Sequence, residues 1–263
     1  MPSSHTTVTI VRHGETDWNR IGLIQGHEDV SLNEQGEAQA RVAGEWFARE
    51  GWNWDAAYAS DLSRASKTAS IILSHQPEER RVPLQQDERI RERHLGNLQG
   101  KRRGDPGTDP RTAEPVGALR GRLWSFFNSL FPSSSPSSSP SSPLSASSSS
   151  SDAPSPVRQI LFVSHGAAIR EFVRSILEDR VERNQGKDGW TWELALPKEE
   201  EEALKSGSKR IDNCSRTVIE VEEQGEAGAS TRFHACLTLY ADDSHFAESS
   251  RAPSPRANAD VVE

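Results

Sequence analysis

Thr7-Val8-Thr9-Ile10-Val11 runs into Arg12-His13-Gly14-Glu15-Thr16, and far along the chain Ile160-Leu161-Phe162-Val163 runs into Ser164-His165-Gly166. Each run is short, apolar and rich in β-branched residues, the composition of a buried strand. Both end in His-Gly. In an open α/β sheet the side chains at the carboxyl ends of the strands converge on the ligand crevice, so these two histidines are expected to meet.

Working outward, the first run is followed by a loop through Gly22, Gln25 and Gly26, and then by Ser31-Leu32-Asn33-Glu34, which has the spacing of a helix capping box. Ala38, Val42, Ala43, Trp46 and Phe47 recur at helical spacing, and Gly51 is placed to stop that helix. Residues 56–60 read as a second strand. Residues 61–74 read as a helix with Ala65, Thr68, Ala69 and Ile72 on one side and Arg64 in its first turn. Further helices are expected at about 114–130 and at 167–177, directly after the second His-Gly. Residues 216–222 and 233–240 alternate like an antiparallel pair around a glycine-bearing loop. Strands alternating with helices predict an α/β fold with a mixed sheet.

Composition limits the function classes. The chain has 263 residues, long enough for one large domain, and one core is expected. Its net charge of −8 and pI of about 5.6 argue against general nucleic-acid binding, so an anionic ligand would need a local basic pocket. Cys214 and Cys236 are the only cysteines, and their spacing suggests neither a disulfide framework nor a zinc site. They read as packing residues in a reduced interior. No run is long enough to span a bilayer and the start has no apolar leader, so a cytoplasmic protein with no membrane partner is expected. Hydrophobic residues make up 33%, and with the 18 glycines the total falls below the roughly 45–50% usual for globular chains. The shortfall is concentrated. Ser and Pro dominate residues 132–156, which read as a disordered insert, and 241–263 read as a flexible tail. The Lys198-Glu199-Glu200-Glu201-Glu202 run is expected on a solvated face.

Taken in order, Arg12-His13-Gly14-Glu15-Thr16, Trp18-Asn19, Gln25-Gly26, Ser31-Leu32, Ser60-Asp61-Leu62-Ser63-Arg64-Ala65, Arg91-Glu92-Arg93-His94-Leu95-Gly96 and Val163-Ser164-His165-Gly166 resemble the histidine phosphatase superfamily, the phosphoglycerate-mutase-like fold. The resemblance covers most of residues 6–240. It implies a three-layer α/β sandwich with a mostly parallel mixed sheet, one domain over 6–240, and phosphoryl transfer through a phosphohistidine.

The chemistry explains those residue types. Phosphate-monoester hydrolysis is among the slowest uncatalysed reactions and needs a nucleophile, charge stabilisation and a proton for the leaving oxygen. The resemblance implies that His13 attacks phosphorus, that Glu92 is the general acid, and that His165 completes the catalytic set. Arg12 and Arg64 would hold the phosphoryl oxygens with their planar forks. Asn19 matches a further phosphate contact. Gly14 and Gly166 would let the backbone approach closely. The resemblance implies no metal and no other cofactor. His27, His94 and Trp190 are read as structural or surface residues that could otherwise line the substrate mouth.

For substrate, Arg89-Ile90-Arg91-Glu92-Arg93, Lys101, the Ser/Pro-rich insert and Asn213-Cys214 resemble the TIGAR-type fructose-bisphosphatases. Glu92-Arg93-His94 and Leu98-Gln99-Gly100 also resemble the cofactor-dependent phosphoglycerate mutases. This chain departs from the mutases at Leu95, where they have Tyr, and at Ala167, where they have Asn. It departs from the phosphatases at Thr112-Ala113-Glu114, where they have Gly-Gly-Glu. The expected function is phosphatase action on a small phosphorylated metabolite such as fructose 2,6-bisphosphate. A mutase and a noncatalytic phosphate-binding module are the alternatives.

Overall fold

The computed structural model describes residues 4–131, 157–182, 189–224 and 232–247. In chain order the elements are β1 (His5–Arg12), α1 (Asp17–Ile21), α2 (Glu34–Arg49), β2 (Ala56–Ala59), α3 (Ser63–Ser74), β3 (Leu84–Gln86), α4 (Val116–Ser129), β4 (Arg158–Ser164), α5 (Gly166–Glu182), β5 (Trp190–Leu194), α6 (Lys198–Ser206), β6 (Arg216–Gln224), β7 (Arg232–Asp242) and α7 (Ser244–Ala247). The strands form one seven-stranded sheet in the order β3-β2-β4-β1-β6-β7-β5. β6 pairs antiparallel with both of its neighbours, and every other pairing is parallel. The mostly parallel mixed sheet matches expectation.

Alternation along the central strands sets the layers. Val8 and Ile10 of β1, with Ile160 and Phe162 of β4, face a core shared with Leu123, Phe126 and Phe127 of α4 and Phe172 and Ile176 of α5. Val11, Leu161 and Val163 face the opposite side, against Val42 and Phe47 of α2 and Ala69 and Ile72 of α3. The runs carry apolar residues on both faces because both faces are covered.

Several local expectations differ from the structure. The cap of α2 is Asn33, whose side chain accepts from the Gly36 amide at 2.8 Å, rather than Ser31. The reciprocal capping box closes α1 instead, between Thr16 and Asn19. The expected flexible tail does not begin at 241. β7 continues to Asp242, and α7 buries Phe246 in the same core as Trp46, because that residue supplies an apolar anchor in an otherwise polar stretch. The acidic run at 198–202 opens α6, which keeps Leu204 buried and leaves its charges outward. The insert read at 132–156 and residues 248–263 lie outside the described residues. On the two sides of that insert, Arg158 donates to the Leu130 carbonyl at 3.0 Å.

One packing contact fixes the start of α2 beneath the β1 loop. A Cβ on Gly36 would lie 2.1 Å from the Glu15 carbonyl oxygen and 2.6 Å from its amide, and one on Gly14 would lie 2.4 Å from the Gly36 oxygen. The obstacles are backbone, so neither can step aside. Gly36→Ala should therefore cost about 1–3 kcal/mol or more, read as a fall in Tm of several degrees. An unchanged Tm would show that the loop yields freely.

Candidate active site

β1 and β4 are adjacent and parallel, with Arg12 in register with Ser164. The next residue after each strand is a histidine, so the two expected partners emerge side by side beyond the carboxyl ends of two central strands. Their ring centroids are 5.1 Å apart at an interplanar angle of 58°, and both residues are fully buried.

The His13 ring is held in a defined state. Nδ1 lies 2.7 Å from the Gly14 carbonyl oxygen. A carbonyl only accepts, so Nδ1 carries the hydrogen and Nε2 carries the lone pair. Nε2 has no hydrogen-bond partner in the structure. Burial first, then the Arg64 and Arg12 guanidiniums, hold the imidazole pKa well below its ordinary value. Burial again leads for His165, followed by Arg64, His13 and Arg12. Both rings of the folded protein are thus uncharged near neutrality.

That state makes stability depend on pH. The unfolded histidines titrate near about 6.5. As pH falls through that value the unfolded chain binds protons that the folded protein refuses, so stability is lost on acidification until the folded-state values are reached. Denaturant titrations at pH 8 and pH 5.5 should show the loss, up to roughly 1.4 kcal/mol per histidine per pH unit. His165→Gln should show a shallower slope. An equal slope in that variant would count against a neutral His165.

The arginines are built into the walls. Arg12 is fully buried and donates through Nη1 to the Ile211 carbonyl at 2.8 Å. Arg64, fully buried in the first turn of α3, donates to the carbonyls of Glu28 at 2.7 Å and Gly26 at 2.8 Å. Asn19 accepts through Oδ1 from the Thr16 amide at 3.2 Å, which leaves its buried Nδ2 without a hydrogen-bond partner. It lies in α1, directly beyond the β1 loop.

Glu92 is fully buried, although its neighbours Arg89 and Arg91 face outward in ion pairs with Asp87 and Asp61. Its Oε1 accepts from the amides of Arg93 at 2.8 Å and Ala168 at 3.0 Å, and Oε2 from the Ala167 amide at 3.1 Å. Ala167 and Ala168 belong to the first turn of α5, one residue past Gly166, so the carboxylate caps the helix that starts at the second His-Gly. Glu92, His165 and Gly166 therefore converge on one helix end.

The Gly14 amide donates to Thr68 Oγ1 at 3.0 Å, and its missing Cβ makes room for Gly36, so this glycine has an internal packing role. Trp190 lies in the edge strand β5, stacked 4.6 Å from Phe233, away from the mouth. His27 sits at the rim and donates through Nε2 to the Glu92 carbonyl at 2.7 Å, with the His94 ring 5.0 Å away. Cys214 is buried behind Arg12, its amide donating to the Arg12 carbonyl at 3.0 Å and its thiol pKa pushed up to about 12 by burial. That is a packing cysteine. Cys236 is partly buried and also free.

Sequence reasoning missed three supports. Asn213 donates to the His13 carbonyl at 2.9 Å, and Arg122 of α4 and Glu114, just before that helix, brace the Glu92 segment. The expected helix at 114–130 contained both of the latter, but helical spacing does not show which backbone a side chain reaches.

Paired neutral imidazoles, two buried guanidiniums and a carboxylate meet at a strand-end crevice, and these are the kinds of group that phosphoryl transfer through a histidine calls for. Residues 8–125 match the family described as Histidine phosphatase superfamily (branch 1). Among curated proteins, the chain is 36% identical over 117 residues to a 2,3-bisphosphoglycerate-dependent phosphoglycerate mutase of Treponema denticola. That match covers 44% of this chain and 44% of the relative, so the chain spans under half the length of the curated protein it matches. Among solved structures, the phosphoglycerate mutase from Bacillus anthracis aligns over 94% of this chain and 97% of its own, with a TM-score of 0.61 and 18% identity. A mycobacterial glucosyl-3-phosphoglycerate phosphatase complexed with VO3 aligns over 88% and 97%, with a TM-score of 0.56 and 22% identity. These likenesses establish the phosphoglycerate-mutase-like fold. Among the described residues no helix is long and apolar enough to cross a membrane.

Proposed function

We propose that the protein is a phosphatase that hydrolyses phosphomonoesters of small metabolites through a phosphohistidine on His13. The observation that carries this reading is the neutral His13 imidazole, its Nε2 lone pair without a hydrogen-bond partner beside two guanidiniums. In the first half-reaction Nε2 bonds to phosphorus, the ester P–O bond breaks, and Glu92 gives a proton to the leaving oxygen. In the second, water attacks the phosphohistidine and gives its proton to Glu92. The three amide donors suit a carboxylate, so the proton is best supplied with the bound phosphate, whose charge favours a protonated carboxyl. Arg12, Arg64, Asn19 and the Gly166 end of α5 would hold the transferred oxygens while His165 lines the other side. By the resemblance, Ala167 and Leu95 correspond to positions where the mutases carry polar groups that hold substrate. Their loss favours water as the acceptor.

The test is release of inorganic phosphate from an aryl phosphate in the presence of a chelator, followed by kcat/KM across a panel of phosphorylated metabolites that includes fructose 2,6-bisphosphate. No release from any ester would sink the reading. A mutase is the second reading, favoured by the mutase relative that is 36% identical over 117 residues. It requires that 2,3-bisphosphoglycerate stimulate interconversion of phosphoglycerates. We further propose a cytoplasmic protein whose partner is the small phosphorylated metabolite, without nucleic acid or membrane.

A further inference from the structure

We infer that Arg122 is the positioning residue for the Glu92 carboxyl: from α4 it fixes the backbone that carries the proton donor, without touching the substrate. The inference rests on the proton-transfer role proposed for Glu92.

The geometry of this guanidinium is saturated. Nε donates to Glu114 Oε1 at 2.8 Å and Nη2 to Glu114 Oε2 at 2.9 Å, a two-point pair with the carboxylate. Nη1 donates to the carbonyls of Arg89 at 2.8 Å and Arg91 at 2.7 Å, and Nη2 to the carbonyl of Glu92 at 2.7 Å. Arginine has five N–H donors, and all five are spent, three of them on main-chain carbonyls between residues 89 and 92. Glu114 in turn accepts from the His94 amide at 3.1 Å through Oε2, and its carbonyl accepts from Arg93 Nε at 2.8 Å. The pair thus grips the segment on both sides of Glu92.

The Glu92 carbonyl receives a second donor, His27 Nε2 at 2.7 Å, while the carboxylate is held by the Arg93, Ala167 and Ala168 amides. Main chain and side chain of one residue are therefore pinned separately, the first from α4 and the rim, the second from α5. The segment has no strand of its own at 87–95: a short helical turn at Glu88–Ile90 is followed by irregular chain. Without ladder hydrogen bonds, its placement depends on side chains. A general acid must sit within hydrogen-bond reach of the leaving oxygen, and a shift of about 1 Å can cost about 100-fold. Lysine keeps the charge of Arg122 but has three donors around one point, and it cannot reproduce the fork.

The test compares an aryl phosphate, whose leaving group departs without a proton, with an alkyl phosphate, whose leaving group needs one. The kcat/KM ratio of the two esters is measured on the same preparation, so the fraction of folded protein cancels. Glu92→Gln should lose far more activity on the alkyl ester than on the aryl ester. Arg122→Lys should show the same bias, about tenfold or more, and Glu114→Gln, which leaves the arginine in place but loosens its orientation, a smaller bias in the same direction. If Glu92→Gln discriminates between the esters while both other variants lose activity on them equally, Arg122 is only structural and the positioning role is overturned. If Glu92→Gln itself does not discriminate, the proton-donor reading fails and the positioning role falls with it. If Arg122→Lys does not fold, the Glu114→Gln ratio decides between the same two outcomes.

Discussion

Replacing His13 with alanine should reduce phosphate release by a factor on the order of 10⁴ or more, with little change in Tm. The size follows from losing the nucleophile itself, which in covalent catalysis removes both half-reactions together. The modest structural cost follows from how few polar bonds the ring makes, a single hydrogen bond to the Gly14 carbonyl. A trapping experiment gives the sharper readout. Acid-labile radiolabel from a phosphorylated substrate should appear on the native chain and be absent from His13→Ala. Label retained by the variant would move the nucleophile elsewhere, and His165, the neighbouring neutral imidazole, would be the first place to look.

Arg64→Ala should lower kcat/KM by about 10²–10³, because a guanidinium that holds developing phosphoryl charge in a dry pocket is worth several kcal/mol. The structure adds a second signature. After burial itself, Arg64 is the strongest of the charges that depress His13 and His165. Removing it removes part of that depression, so the imidazole protonates at higher pH. The acid limb of kcat/KM should therefore move to higher pH in Arg64→Ala and stay near its native position in Arg64→Lys, which retains the charge. Arg64→Lys should still be impaired, since it cannot span the Glu28 and Gly26 carbonyls and a phosphoryl oxygen together. An acid limb that does not move in Arg64→Ala would show that the charge is screened from the histidine.

Much of this was legible before any coordinates. The β1 and β4 runs announce themselves because both faces of a parallel strand are covered and the run is continuously apolar. Helices α2, α3 and α5 carry a regular apolar stripe. The elements that escaped notice have weak local signals: β3 is three partly exposed residues, β5 is an edge strand alternating Trp and polar residues, and α1 is a single turn. His13, Arg64, Glu92 and His165 stood out through their motif neighbours. Their supports did not, because Arg122, Glu114 and Asn213 act on backbone carbonyls and amides far away in sequence, and backbone atoms leave no trace in residue identity. Gly14 shows the same limit, since its motif does not reveal that its missing side chain also makes room for Gly36.

The bond between Arg158 and the Leu130 carbonyl has a meaning for the chain that joins them. It ties the end of α4 to the start of β4, at the pole of the sheet opposite His165. The two ends of the connection are already held together by folded residues on either side of it, so the connection closes a gap that needs no closing. The entropic cost of such a loop grows only logarithmically with its length. The junction between Leu130 and Arg158 stands at the opposite end of β4 from His165, and it is where the protein can change in length, or accept a foreign sequence, while the chemistry stays the same.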